Sequence, residues 1–116
     1  VKNKHTGDKG ETIAANFLQK KGFEILERNW RHKHLEIDII ATIENKLHFV
    51  EVKTRTNTKF GLPEESISKT KMNHLKVAAE AYLLLNPKWE NIQFDVIAIM
   101  LTKEKEEIFL IEDVFF

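Results

Sequence analysis

The sequence contains no cysteine, which excludes disulfides and thiolate metal sites. It has no apolar run near the roughly 20 residues that a bilayer-spanning helix needs. No pattern of a secretory signal opens it. These absences lead us to expect a cytoplasmic protein with no membrane partner. Net charge is missing too: 18 Lys and Arg balance 18 Asp and Glu, a formal charge of zero. A nucleic-acid binder usually carries a basic excess. Acids gathered at one site cancel bases elsewhere, however, so the distribution of charge is more informative than the sum. There is no internal repeat, low-complexity stretch or linker. The 116 residues therefore read as one domain, 1–116, large enough to bury its own core.

What is present centres on residues 36–55. Glu36-Ile37-Asp38-Ile39-Ile40-Ala41 and Leu47-His48-Phe49-Val50-Glu51-Val52-Lys53 both alternate with period two and are rich in β-branched and aromatic residues, so they read as consecutive strands. Glu44-Asn45 supplies the chemistry of a two-residue turn, since Asn adopts positive φ readily. That turn pairs Ile43 with Lys46, and the register then sets Asp38 opposite Glu51 and Glu36 opposite Lys53. Opposed side chains leave the same face of a sheet, roughly 5 Å apart. Two readings stay open on spacing alone. The charges form a solvated sheet face, or they form a metal or acid–base site. Asp is disfavoured inside strands, and two opposed acids repel unless a cation or a proton lies between them.

Around this hairpin the chain alternates helix and strand signals. Asp8 and Glu11 form a capping box for a helix from about Asp8 to Lys21 that ends at Gly22, after a polar, frayed start at 1–6. Glu11 lies at the edge of its apolar stripe, where it either closes the cap or points toward the sheet. Phe23 to Trp30 reads as a strand and Arg31-His32-Lys33-His34 as a basic, solvated turn. After Arg55 a loop at 56–63 leaves the strand where a substrate-contacting flap would sit. Ser68 is the N-cap of a helix over 69–85 closed by Asn86-Pro87, with Met72, Leu75, Ala79, Tyr82 and Leu83 as its stripe, broadened by Ala78, Ala81 and Leu85. Lys69 and Lys71 lie outside that stripe beside free backbone amides, where a phosphate would be held or solvent met. Ile92 to Leu101 is apolar enough for a central strand, interrupted by Asp95, and Ile108 to Ile111 completes an edge. His48 points away from the Glu51 face, and neither it nor His74 is assigned chemistry.

Asp38 followed by Glu51-Val52-Lys53 resembles the D…(D/E)-x-K signature of the PD-(D/E)xK nuclease superfamily. The whole chain resembles a YraN-type protein, of a bacterial family related to Holliday-junction resolvases. The matching pieces include Gly7-x-x-Gly10-Glu11-x-x-Ala14-Ala15, Asn29-Trp30-Arg31, Glu36-Ile37-Asp38-Ile39-Ile40-Ala41, Phe49-Val50-Glu51-Val52-Lys53-x-Arg55, Phe60-Gly61-x-Pro63-x-x-Ser66-Ile67, Ala79-x-Ala81-Tyr82-Leu83 and Phe94-Asp95-Val96-Ile97. In one departure, Leu35 stands where the family usually has Gly. The resemblance implies an α/β fold with a restriction-endonuclease-like core, a mixed β-sheet flanked by α-helices.

It also implies roles. Asp38 and Glu51 would ligate Mg²⁺ or Mn²⁺, with the Val52 carbonyl as a further ligand. Lys53 would stabilise developing charge or orient the attacking water, and Glu11 and Glu36 would be outer or second-metal acids. Arg55, Lys59, Lys69 and Lys71 would contact phosphates of nucleic acid, DNA in the first instance. Three functions follow. The first is a metal-dependent endonuclease acting on structured or branched DNA, working alone or as a homodimer. The second is a non-catalytic nucleic-acid-binding module on the same scaffold. The third is a protein-interaction domain whose acid–lysine cluster is structural.

Overall fold

The computed structural model describes residues 2–56 and 68–114, with side chains from Lys9 onward. The elements are α1 (Lys2–Lys20), β1 (Glu24–His32), β2 (Leu35–Ile43), β3 (Lys46–Arg55), α2 (Lys69–Leu85), β4 (Ile92–Leu101) and β5 (Glu106–Ile111). This is the expected order of helix, three strands, helix and two strands. The five strands form one sheet in sequence order. β3 and β4 are parallel and the other neighbours antiparallel, since α2 carries the chain across the sheet between them. The result is an α/β fold with a mixed sheet and two helices, compatible with a restriction-endonuclease-like core. Among the described residues no helix is long and apolar enough to cross a membrane.

The helices cover opposite faces. On α1, Ala14, Ala15 and Leu18 pack against Ile39, Ala41, Val50, Ile97 and Ile99. On α2, Met72, Leu75, Ala78, Ala79 and Tyr82 pack against Ile37, Ile40, Leu47, Phe49 and Val96. Phe49 and Val50 are neighbours in the chain and serve different cores, as the period-two alternation of a strand requires. Leu83, expected within the stripe, is only partly buried against its core, and Leu85 is 60% exposed and does not broaden the stripe. It is the last residue of α2.

Several boundaries differ from those the sequence suggested. Helix α1 begins at Lys2, so Asp8 and Glu11 lie inside it and form no capping box. A helix propagates cheaply through polar residues once nucleated, and no proline stops this one. Its C-terminus is as expected: Gly22 has φ 101°, and the amides of Gly22 and Phe23 return to the carbonyls of Gln19 and Leu18, a Schellman motif. Gly10 has a packing reason, because a β-carbon there would lie 2.0 Å from Thr54 Oγ1 on β3. β1 extends through His32, and the four-residue basic turn shrinks to Lys33-His34, with Lys33 at φ 58°. Ser68 caps α2 by accepting the Lys71 amide at 3.1 Å, and Asn86 closes it.

The central hairpin has the expected register from Ile43↔Lys46 to Ile39↔Val50. Glu44 and Asn45 both take positive φ, 52° and 63°, the signature of a type I′ turn. The pairing then stops at Ile39↔Val50. The expected opposition of Asp38 to Glu51 and of Glu36 to Lys53 within the ladder is therefore not formed. A continued ladder would direct the Val52 amide to the Ile37 carbonyl. Instead it donates to Oδ2 of Asp38 at 2.8 Å. The carboxyl takes over a ladder bond, and the two strands part at that point.

Candidate active site

The fork between β2 and β3 opens a cavity of about 320 Å³ roofed by α2. Asp38, Glu36 and Glu51 line it from the sheet, Lys71 and His74 from the helix, and His34 from the β1–β2 turn. Asp38 is oriented by the Val52 amide. Glu51 follows Leu47 and Phe49 on the α2 face of β3 and is buried, with 8% of its surface exposed. Its Oε2 lies 3.3 Å from Nζ of Lys71.

The electrostatics describe a crowded group of acids. Burial, the Glu51 charge and the lesser charges of Glu11 and Glu36 push the Asp38 carboxyl up from 3.8 to about 7, against the opposing Val52 hydrogen bond. Lys53 is half-buried. Burial, then the neighbouring Lys71 ammonium, lowers its pKa, with Glu51 opposing. The Glu51 carboxylate raises that of Lys71, against burial. Two acids and two lysines thus act on one another at the fork, and Glu11 reaches them electrostatically from α1.

The remaining expected site residues are distributed around this centre. Glu36 lines the cavity but also binds Arg31 across the β1–β2 ladder at 2.9 Å, because their pairing aligns them. Val52 gives its amide to Asp38 and pairs with Ile97 of β4. Arg55 ends β3, its Nε buried and without an acceptor among the described residues. Lys69 is exposed in the first turn of α2. Lys59 and most of the 56–63 loop lie outside the described residues.

Sequence reasoning did not anticipate the contact of Lys71 with Glu51, or the arrival of His34 and His74 at the cavity. The i, i+3 spacing of Lys71 and His74, which puts them on one side of α2, was the available signal. A second polar centre was also missed. On the α1 face, buried His48 meets buried Asp95 at 2.6 Å (Nδ1–Oδ2). Oδ1 of Asp95 accepts from Gln93 Nε2 at 2.8 Å and from the Asp113 amide at 3.0 Å. Burial pushes the Asp95 carboxyl up, but the bonds from His48, Asp113 and Gln93 outweigh it and hold it below its ordinary value. The Phe23 and His48 rings pack in a T-shaped pair, centroids 4.9 Å apart. This network ties the segment after β5 to β4.

The sheet order, the flanking helices and the acid–lysine fork define a class: α/β proteins built on a mixed sheet compatible with the restriction-endonuclease-like core. The comparisons are more particular. Residues 10–99 match the profile of Uncharacterised protein family UPF0102, and the chain belongs to that family, the YraN family. Similar proteins include a UPF0102 protein of Syntrophomonas wolfei, 42% identical over 107 residues, covering 91% of this chain and 93% of the relative. One of Clostridioides difficile is 45% identical over 106 residues, covering 90% and 93%. One of Caldicellulosiruptor saccharolyticus is 44% identical over 119 residues, covering 99% and 100%. The names of these relatives state the family and no activity.

Proposed function

We propose that this protein is a metal-dependent endonuclease that hydrolyses phosphodiester bonds in structured or branched DNA, a substrate that suits a cytoplasmic setting. The observation that carries the reading is the fork itself: Asp38 and Glu51 line one cavity, with Lys71 on Glu51 and Lys53 alongside. A solvated sheet face would not bury Glu51 or lift the Asp38 carboxyl toward neutrality.

The donors suit a hard cation. Asp38 and Glu51 offer carboxylate oxygens, and a divalent ion offsets both the burial and the Glu51 repulsion that raise the Asp38 carboxyl. Among the described residues no group of three or more His, Cys, Asp or Glu side chains could hold a metal. Protein ligands would therefore be few, as Mg²⁺ accepts, the rest being water and substrate oxygens. Once bound, Mg²⁺ or Mn²⁺ would polarise the phosphate and acidify water. The Val52 amide fixes the Asp38 carboxylate in advance, so little reorganisation is needed. Lys53, half-buried and holding its proton less firmly than a free lysine, orients the attacking water or stabilises charge on the phosphate. Lys69 and Arg55 steer the backbone phosphates toward the cavity.

The second reading, a nucleic-acid-binding module without turnover, is favoured by the Lys71–Glu51 ion pair, which neutralises one acid without any metal. A cleavage panel separates the two. Single-stranded, duplex, flap and four-way DNA are incubated with Mg²⁺ or Mn²⁺, alongside Asp38→Asn as control. Metal-dependent cleavage lost in the control supports the nuclease. Salt-sensitive binding without cleavage of any substrate supports the module.

A further inference from the structure

We infer that Lys71 is an exchangeable counter-ion: it occupies Glu51 while the site holds no metal, yields that carboxylate to a divalent cation, and then contacts the substrate phosphate. This rests on the metal-site reading above and adds a residue role to it. Lys71 belongs to the first turn of α2, and its amide is fixed by the Ser68 cap at 3.1 Å. Ammonium charge in a first turn opposes the helix dipole, so the side chain gains by leaving its own helix for an acid. It crosses to β3 and sets Nζ 3.3 Å from Oε2 of Glu51. Glu51 is the more buried partner: its side chain is 11% exposed against 51% for Lys71. The acid is fixed in the sheet, and the cation is held only at its tip.

That asymmetry decides which partner moves. Mg²⁺ ligates a carboxylate oxygen at about 2.1 Å, which would bring a double positive charge within a few ångströms of Nζ. The flexible stem of lysine and its solvent-exposed half let it withdraw at small cost. Lys53 is the less suited of the two to exchange, being half-buried and already disfavoured as a cation by burial and by Lys71. Displaced, Lys71 remains at the wall of the same cavity, where a phosphate engaging the metal would meet it. Metal entry and phosphate capture then become one linked event.

The test uses the whole chain and titrates Mn²⁺ calorimetrically into wild type, Lys71→Gln, Lys71→Arg and Asp38→Asn. Lys71→Gln should bind Mn²⁺ about fivefold more tightly, ~1 kcal/mol, the scale of a partly exposed ion pair. Lys71→Arg, which keeps the charge, should stay within about twofold of wild type on the same scale. Equal or weaker binding by Lys71→Gln, with Asp38→Asn still abolishing it, overturns the exchange and leaves the metal site standing. No Asp38-dependent binding by any variant overturns both. A second arm measures the salt dependence of DNA-duplex binding with and without Ca²⁺. With Ca²⁺ the log–log slope of Lys71→Gln should be smaller than that of wild type by about 0.9, one phosphate contact. Without Ca²⁺ the slopes should coincide, because Lys71 is engaged by Glu51. A difference without Ca²⁺, or none with it, refutes the phosphate half.

Discussion

Replacing Asp38 by asparagine removes one charge from the fork and leaves its shape, because the amide oxygen still accepts the Val52 N–H. The stability consequence follows from linkage. A carboxyl that is raised on folding binds its proton more tightly in the native state. Its contribution to stability is therefore present below the unfolded value of 3.8 and is lost as pH rises to about 7. At about 1.36 kcal/mol per pH unit, the rise from 3.8 to about 7 costs the metal-free protein at most ~4 kcal/mol above neutrality. Asparagine bears no such cost. Metal-free Asp38→Asn should be the more stable protein at pH 8, by up to on the order of 15 °C in Tm for a chain of this size. The advantage should shrink steadily on acidification to about pH 4. Mg²⁺ at a hundredfold excess over Kd offsets most of that gap: it stabilises wild type by about 2.7 kcal/mol and the variant hardly at all. The assay is thermal unfolding of both proteins across this pH range, with and without Mg²⁺ or Mn²⁺. A variant no more stable than wild type at pH 8 would refute the cost assigned to burial of the carboxylate beside Glu51, and equal metal shifts would show that this pair is not the metal site.

Lys53→Ala should keep the Mn²⁺-induced rise in Tm and lose cleavage by about 10²–10³-fold, the scale of one electrostatic stabiliser; loss of the Tm rise would make Lys53 a structural partner of the acids instead. Asp95→Asn should destabilise the fold in urea by about 2–3 kcal/mol, since it weakens the buried hydrogen bonds that this carboxylate makes with His48, Gln93 and the Asp113 amide, without altering Mn²⁺ affinity. The depressed Asp95 carboxyl contributes stability above its unfolded value of 3.8 that is lost as pH falls below it, so the stability gap between wild type and variant should narrow in acid. Lys69→Glu should weaken DNA binding and reduce its salt slope by about 1. An unchanged slope would move the interface away from the start of α2.

What the sequence disclosed depended on how local the determinants were. The β2–β3 register was legible because Glu44-Asn45 selects a two-residue turn, and the alternation of Ile39 to Ile43 with Lys46 to Val50 tolerates no slip. The Gly22 stop and the Ser68 cap were legible for the same reason: each acts within a few residues. The start of α1 was misjudged because a local box at Asp8 competes with simple continuation of a helix, and nothing in six polar residues marks the difference. The fork was hidden because it needs a side chain to replace a backbone acceptor. Asp38 and Glu51 could be assigned to one site from the hairpin, but as ladder partners rather than as two sides of an opening. The Lys71–Glu51 and His48–Asp95 contacts depend on how α2 and β4 are laid against β3. The parallel register that aligns Val50 with Asp95 is set by a crossover, for which no sequence periodicity exists.

The close approach of Gly10 to Thr54 has a consequence for anyone rebuilding this protein as a scaffold. Exchanging a helical glycine for alanine is a routine stabilising edit, worth about 1 kcal/mol in helix propensity. Here it would wedge a methyl group against β3, at 2.0 Å from Thr54 Oγ1 and 3.1 Å from Thr54 Cβ. The helix would gain and the layer beneath it would lose. Residue 10 thus works as a shim of minimum thickness, setting how far α1 stands from the strand that carries Glu51 and Lys53. Because Glu11 is the next residue along, that thickness also sets the reach of the acid α1 brings toward Asp38. A designer who wanted to retune the field at the fork without touching any charged residue would find a dial in this glycine.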